Sequence, residues 1–176
     1  TINKTDYKLG GGSGKFDGVN DRVDIANRNN FALASWTVSA WFKQEGSNDN
    51  GIFNHNWLSG ENTDSHYHLL VQTDGDLYCL AGDDDGSGFT IVYANNLLKG
   101  VWHHVVCTYS VGSLKSYADG SFVSEDTTGT YNAATDAGDT DDIGRVVRGA
   151  GGQIDWAKGL IDEVSVWNRT LSSAEI

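Results

Sequence analysis

Between Ser35 and Lys43 polar and apolar residues alternate: Trp36, Val38, Ala40 and Phe42 fall on one side, and Thr37, Ser39, Trp41 and Lys43 on the other. A period of two belongs to a β-strand. Two denser apolar runs of strand length, Val101 to Tyr109 (VWHHVVCTY) and Gly159 to Trp167 (GLIDEVSVW), are rich in aromatic and β-branched residues and lack helical spacing. Asp74-Gly75 separates Leu69 to Thr73 from Asp76 to Ala81, and Asp119-Gly120 separates Leu114 to Ala118 from Ser121 to Ser124. Both read as hairpins, because Asp-Gly favours the type I′ turn that suits the twist of paired strands. The Gly- and Asp-rich stretches 45–51, 82–88 and 133–142 are expected to be exposed loops, and the only helix-like piece, Ser172 to Ile176, is at most a turn. Repeated short strands with turn signals predict an all-β sandwich or barrel.

Composition narrows the reading. The chain of 176 residues fits one domain, 1–176, in which 1–14 (with its GGSG) is a flexible lead-in or first edge strand. Its 22 glycines and absence of proline suit strands joined by tight turns. Twelve basic against 24 acidic residues, net −12, repel nucleic acid and anionic lipid and attract cations. No apolar run approaches the roughly 20 residues that span a bilayer, so membrane insertion is not expected. Thr1 to Lys8 lacks a signal peptide's apolar stretch, which suggests a mature or excised piece of a larger chain with neighbouring domains. Cys79 and Cys107 lie in strand-like segments, where either a bridge or two buried free thiols would be natural. Asn3-Lys4-Thr5 and Asn168-Arg169-Thr170 match the glycosylation tripeptide, a pattern too common to decide anything.

Four segments occur in a recognisable order: Phe16 to Ile25 (FDGVNDRVDI), Trp36 to Lys43 (WTVSAWFK), Trp102 to Gly120 (WHHVVCTYSVGSLKSYADG), and Ile143 to Ile176 with its GLIDEVSVWNRTLSSAEI. On these the chain resembles the laminin G-like jelly-roll domains of the concanavalin A-like lectin and glucanase superfamily. The resemblance implies a two-sheet antiparallel jelly-roll sandwich with the first and last segments adjacent. It also implies an extracellular, secreted or cell-surface setting, since such modules occur in adhesins, polysaccharide-degrading enzymes and matrix proteins. It names no ligand, and residues 46–100 depart most from the family pattern.

Parity in the last strand puts Asp162 with Leu160, Val164 and Val166; in the first segment Asp17 and Asp21 share parity with Val19, Val23 and Ile25. Inward carboxylates are costly unless paired or bound to metal. Calcium suits such oxygen donors, and the resemblance implies a structural calcium near the termini, so Asp17 and Asp162 are its expected ligands. The competing reading has each aspartate accepting N–H bonds from its own loop. The runs 83–85 and 136–142 are further cation candidates but read first as solvated acidic loops, and counting from Asp139 the twelfth position is Ala150, which excludes an EF-hand.

Catalysis has little to build on. A retaining glycosidase needs two carboxyls on one face about 5–5.5 Å apart. Here Asp162 and Glu163 are adjacent, hence on opposite faces, and Asp155 lacks a spaced acidic partner. No enzyme is expected. His66 and His68 share a strand face but lack a third zinc ligand.

Sugars are held by aromatic faces and planar polar groups. That mixture occurs in Asn54, His55, Trp57, Asp64, His66 and Tyr67, with Trp156 and Arg145 as a facing wall, while Trp36 and Trp102 are expected to fill the core. The leading expectation is therefore a non-catalytic carbohydrate-binding or adhesion module, binding a glycan or cell-surface polysaccharide. The alternative is a structural or protein-interaction domain of a surface or viral assembly.

Overall fold

A computed structural model describes residues 1–26, 31–55, 66–82, 88–93, 96–131, 141–148 and 153–176, with only the backbone described at 66, 89, 90, 92, 93 and 148. Two antiparallel sheets form a sandwich. The seven-stranded sheet runs in the order β1 (Ile2–Asn3), β2 (Ser13–Asp17), β15 (Lys158–Trp167), β4 (Trp36–Gln44), β9 (Trp102–Ser110), β10 (Ser113–Ala118), β11 (Ser121–Asp126). The six-stranded sheet runs β3 (Val23–Ile25), β12 (Asp141–Ile143), β5 (Asn50–His55), β6 (His66–Val71), β7 (Leu77–Gly82), β8 (Phe89–Tyr93). A separate hairpin, β13 (Arg145–Arg148) with β14 (Gln153–Trp156), lies against β5. Gly51 permits this approach, because a Cβ there would collide with the backbone of Arg145, Val146 and Asp155.

The alternation in β4 is realised as expected. Trp36, Val38, Ala40 and Phe42 enter the core, where the Trp36 ring stacks on Tyr67 of the facing sheet with centroids 4.2 Å apart. Cys79 in β7 and Cys107 in β9 form a disulfide that joins the two sheets through the core.

Both expected hairpins form, with different turns. Asp119 and Gly120 have φ of 49° and 77°, the two positive angles of a type I′ turn. At the other hairpin only Gly75 is left-handed, with φ 90°. There the Gly75 N–H bonds to the Gln72 carbonyl at 3.0 Å and the Gln72 N–H to the Asp76 carbonyl at 2.8 Å. This is the longer loop in which glycine follows a tight turn, in place of the expected I′.

Two expectations about exposure are corrected. Asn50 and Gly51 belong to β5, Gly82 to β7, and Asp141 and Asp142 to β12, and all five are buried rather than in exposed loops. Trp102 does not fill the core: it pairs with Lys43 on the outer face of the seven-stranded sheet, where its indole N–H donates to Asp6 at 2.8 Å. Asp6 also receives the Lys43 ammonium at 2.6 Å, and these two donors, Lys43 first, hold its carboxyl below the usual aspartate range. With the Lys8 ammonium 4.1 Å over the Trp41 ring, the N-terminal loop is strapped across that face.

Candidate functional site

The six-stranded sheet carries a polar row on the face turned away from the core. Register places Asp24 opposite Asp142, Asp142 opposite Asn54, and Asn54 opposite His68. Opposite residues of antiparallel strands share a face, and strands stand about 4.8 Å apart, so the row runs about 14 Å from β3 to β6. Asn54, His68 and Asp142 are buried, whereas the Asp24 side chain keeps 63% and the Arg22 side chain 39% of its surface exposed. The row is thus a buried polar floor with an open charged rim.

Two arginines flank the floor. Arg145 donates from Nε to Asp142 Oδ2 at 2.9 Å, and its terminal amino group contacts the same oxygen. Its guanidinium carbon lies 5.8 Å from the ring centroid of Trp156, its partner in the β13–β14 hairpin. Arg22 Nε donates to Asp24 at 2.6 Å and stands 3.7 Å from Asp142. This contact, before any other, holds the Asp24 carboxyl below its ordinary value and raises the Arg22 guanidinium. Next to the floor the His68 ring stacks on Tyr78 at 5.3 Å.

Of the residues singled out in the sequence, Asn54, Arg145 and Trp156 come together here. His55 and Tyr67 do not: neighbours along a strand point to opposite faces, so they turn inward. His55 Nδ1 lies 2.7 Å from Asp141 Oδ1, both buried, and the Tyr67 hydroxyl donates to the Phe31 carbonyl at 3.0 Å. Burial raises the Tyr67 phenol well above its ordinary value. Trp57, Asp64 and the runs 83–85 and 136–140 lie outside the described residues, as does the His66 side chain. Asp142, Asp24 and Arg22 were missed because nothing in an acidic stretch marks one position, and only the register selects Asp142.

Asp17 and Asp162 are not brought together. β2 and β15 are neighbours as expected, but Lys158 pairs with Asp17 while Ile161 pairs with Gly14, which puts Asp162 four positions along the ladder, about 13 Å away. Asp17 is exposed and accepts the amide of Val19 at 2.8 Å and that of Asn20 at 3.2 Å, which lowers its carboxyl's pKa. Asp162 accepts the amides of Lys8, Leu9 and Glu163. A bulge explains its failed parity. From Asp162 to Ser165 the register slips against β4, with Glu163 at φ 50°, so Ile161, Val164 and Val166 face the core while Asp162 faces outward. Among the described residues no three His, Cys, Asp or Glu side chains gather as ligands.

A profile of the concanavalin A-like lectin/glucanases superfamily matches residues 17–176. No curated protein matches the chain by sequence. Among solved structures, the carbohydrate-binding module CBM40 of the Ruminococcus gnavus IT-sialidase, bound to α2,3-sialyllactose, is similar with a TM-score of 0.74 and 17% identity, covering 93% of this chain and 94% of that one. Domain 4 of AbnA, an extracellular arabinanase of Geobacillus stearothermophilus, in complex with arabinotriose, gives 0.74 and 19%, covering 99% and 79%. A SAP-like pentraxin from Limulus polyphemus gives 0.65 and 21%, covering 90% and 76%.

Proposed function

Since the chain belongs to the laminin G-like family of the concanavalin A-like lectin/glucanase superfamily, we propose that it is a non-catalytic glycan-binding module of a larger secreted or cell-surface protein. The observation that carries this reading is the exposed Arg22–Asp24 pair with Arg145 and Trp156 beside it, set on the buried polar row Asp142–Asn54–His68. Planar hydrogen-bonding groups beside an indole are what a sugar ring needs. Neighbours of the same fold bound to sialyllactose and arabinotriose support the ligand class. The disulfide supports an oxidising, extracellular setting. The use of Asp162 as a backbone anchor, with Glu163 thrown out by the bulge, supports a binding role over hydrolysis. Calcium belongs to the proposal as a stabilising ion, with Asp17 and Asp162 as candidate ligands at separate positions through the lone pairs that their backbone amides leave.

A glycan array with and without chelator tests the reading. Saturable binding to a saccharide class, lost in Arg22→Ala, is the expected result. Binding to no saccharide would overturn it.

A further inference from the structure

The outer face of the seven-stranded sheet holds a groove of about 320 Å³. Its floor is Thr108 and Ser110 of β9 with Ser113, Lys115 and Tyr117 of β10, held in register by the pairs Ser113–Ser110 and Lys115–Thr108. Its wall is the segment 170–173, which folds back over β4. The Thr37 hydroxyl donates to the Arg169 carbonyl at 2.9 Å and accepts the Leu171 amide at 2.9 Å. The wall is clasped again where Glu175 takes Arg169 at 2.7 Å and the Ser172 amide at 2.8 Å. Floor and wall are therefore set before any ligand arrives.

The chemistry of this lining departs from that of the chain. Acidic residues outnumber basic ones 24 to 12 overall, yet among the described residues no carboxylate lines the groove and one lysine does. Among the described residues the Lys115 ammonium has one loose counter-charge, Glu125 at 3.6 Å, and Glu125 is already the acceptor for the Ser113 hydroxyl at 2.6 Å. Thr108, Ser110 and Tyr117 line the groove, and their hydroxyls make no hydrogen bond among the described residues. Hydroxyls both donate and accept, so a row of them can follow the hydroxyls of a sugar, while an ammonium selects an anionic group.

We propose that this groove is a second ligand site, for a single acidic sugar unit whose carboxylate is held by Lys115 and whose ring hydroxyls meet Thr108, Ser110 and Tyr117. The volume stands at the small end of ligand pockets, which suits one ring rather than a chain. The site lies on the opposite sheet from the polar row and does not rest on the function proposed for that row.

Amide NMR of the ¹⁵N-labelled domain, titrated with glucuronate, glucose and inorganic sulfate, tests it. Glucuronate should shift Ser110, Ser113, Lys115 and Ser172 saturably, sulfate should compete, and glucose should bind at least tenfold more weakly. Lys115→Gln, half-exposed and remote from the core, should weaken glucuronate about tenfold, and Thr108→Val should weaken it while leaving the spectrum folded. Arg22→Ala, on the other sheet, should change nothing here. No saturable shift, equal response to glucose, failure of sulfate to compete, or undiminished binding by Lys115→Gln would each overturn the proposal.

Discussion

The carboxylate of Asp162 accepts the backbone N–H of Lys8 at 2.7 Å, and that of Leu9 at 3.0 Å, tying the last strand to the N-terminal loop. The group works as an anchor, so its loss should be felt as stability. Hydrogen bonds to a charged acceptor contribute about 1.5–3 kcal/mol, and Asp162→Asn should cost about 2 kcal/mol in denaturant unfolding. The cost should persist in chelator. A cost seen only with calcium would mean that the carboxylate serves the ion and not the loop.

The clasp at the C-terminal end is expected to open in acid. Two-pronged contact with Arg169, then the amide and hydroxyl of Ser172, push the Glu175 carboxyl down to about 2. A folded pKa below the unfolded value, about 4.3, gives a contribution that is complete above that value and lost as pH falls toward 2. A carbon-detected titration of Glu175 should show a midpoint near the lower figure, and Arg169→Gln should move it back toward the ordinary glutamate range. Because both groups are exposed, added salt should move it the same way.

β4 was legible because a half-buried strand must alternate, β9 and β15 because they are dense apolar runs of strand length without helical spacing, and the order of the four family segments made the sandwich legible. The failures have local causes. Asp17 ends β2, and the chain then crosses to β3 in the other sheet, so parity cannot be carried from Asp17 to Val23. At Glu163 a residue with no left-handed preference takes positive φ, and nothing in the sequence announces the bulge. Trp102 reads as a core residue until Asp6, 96 positions away, appears as its partner on the outer face. The polar row was half-legible: Asn54 and Arg145 stood out by type, but their common face is a product of strand pairing.

The disulfide between Cys79 and Cys107 closes a loop of 28 residues. Chain-entropy reasoning values such a closure at about 3–4 kcal/mol, or roughly 10 °C in melting temperature for a domain of this size. Cys79→Ala combined with Cys107→Ala should lower the melting temperature by that order, and reductant should then have no further effect. An unchanged melting temperature would show that the crosslink contributes nothing beyond packing.

The rim of the polar row and the core beneath it can be separated by two aromatic substitutions. Trp156 stands at the rim beside Arg145, and Trp156→Ala should weaken saccharide binding about tenfold, the loss of roughly 1.4 kcal/mol of ring stacking. Tyr67 lies in the core against Trp36, and Tyr67→Phe keeps the stacked ring while deleting the hydroxyl that serves the Phe31 carbonyl. That change should cost about 1 kcal/mol of stability and leave affinity untouched. Isothermal titration with the best saccharide from the array, paired with denaturant unfolding of each variant, reads both effects. If Tyr67→Phe were to lose affinity without losing stability, the inward-facing aromatics would belong to the binding site after all.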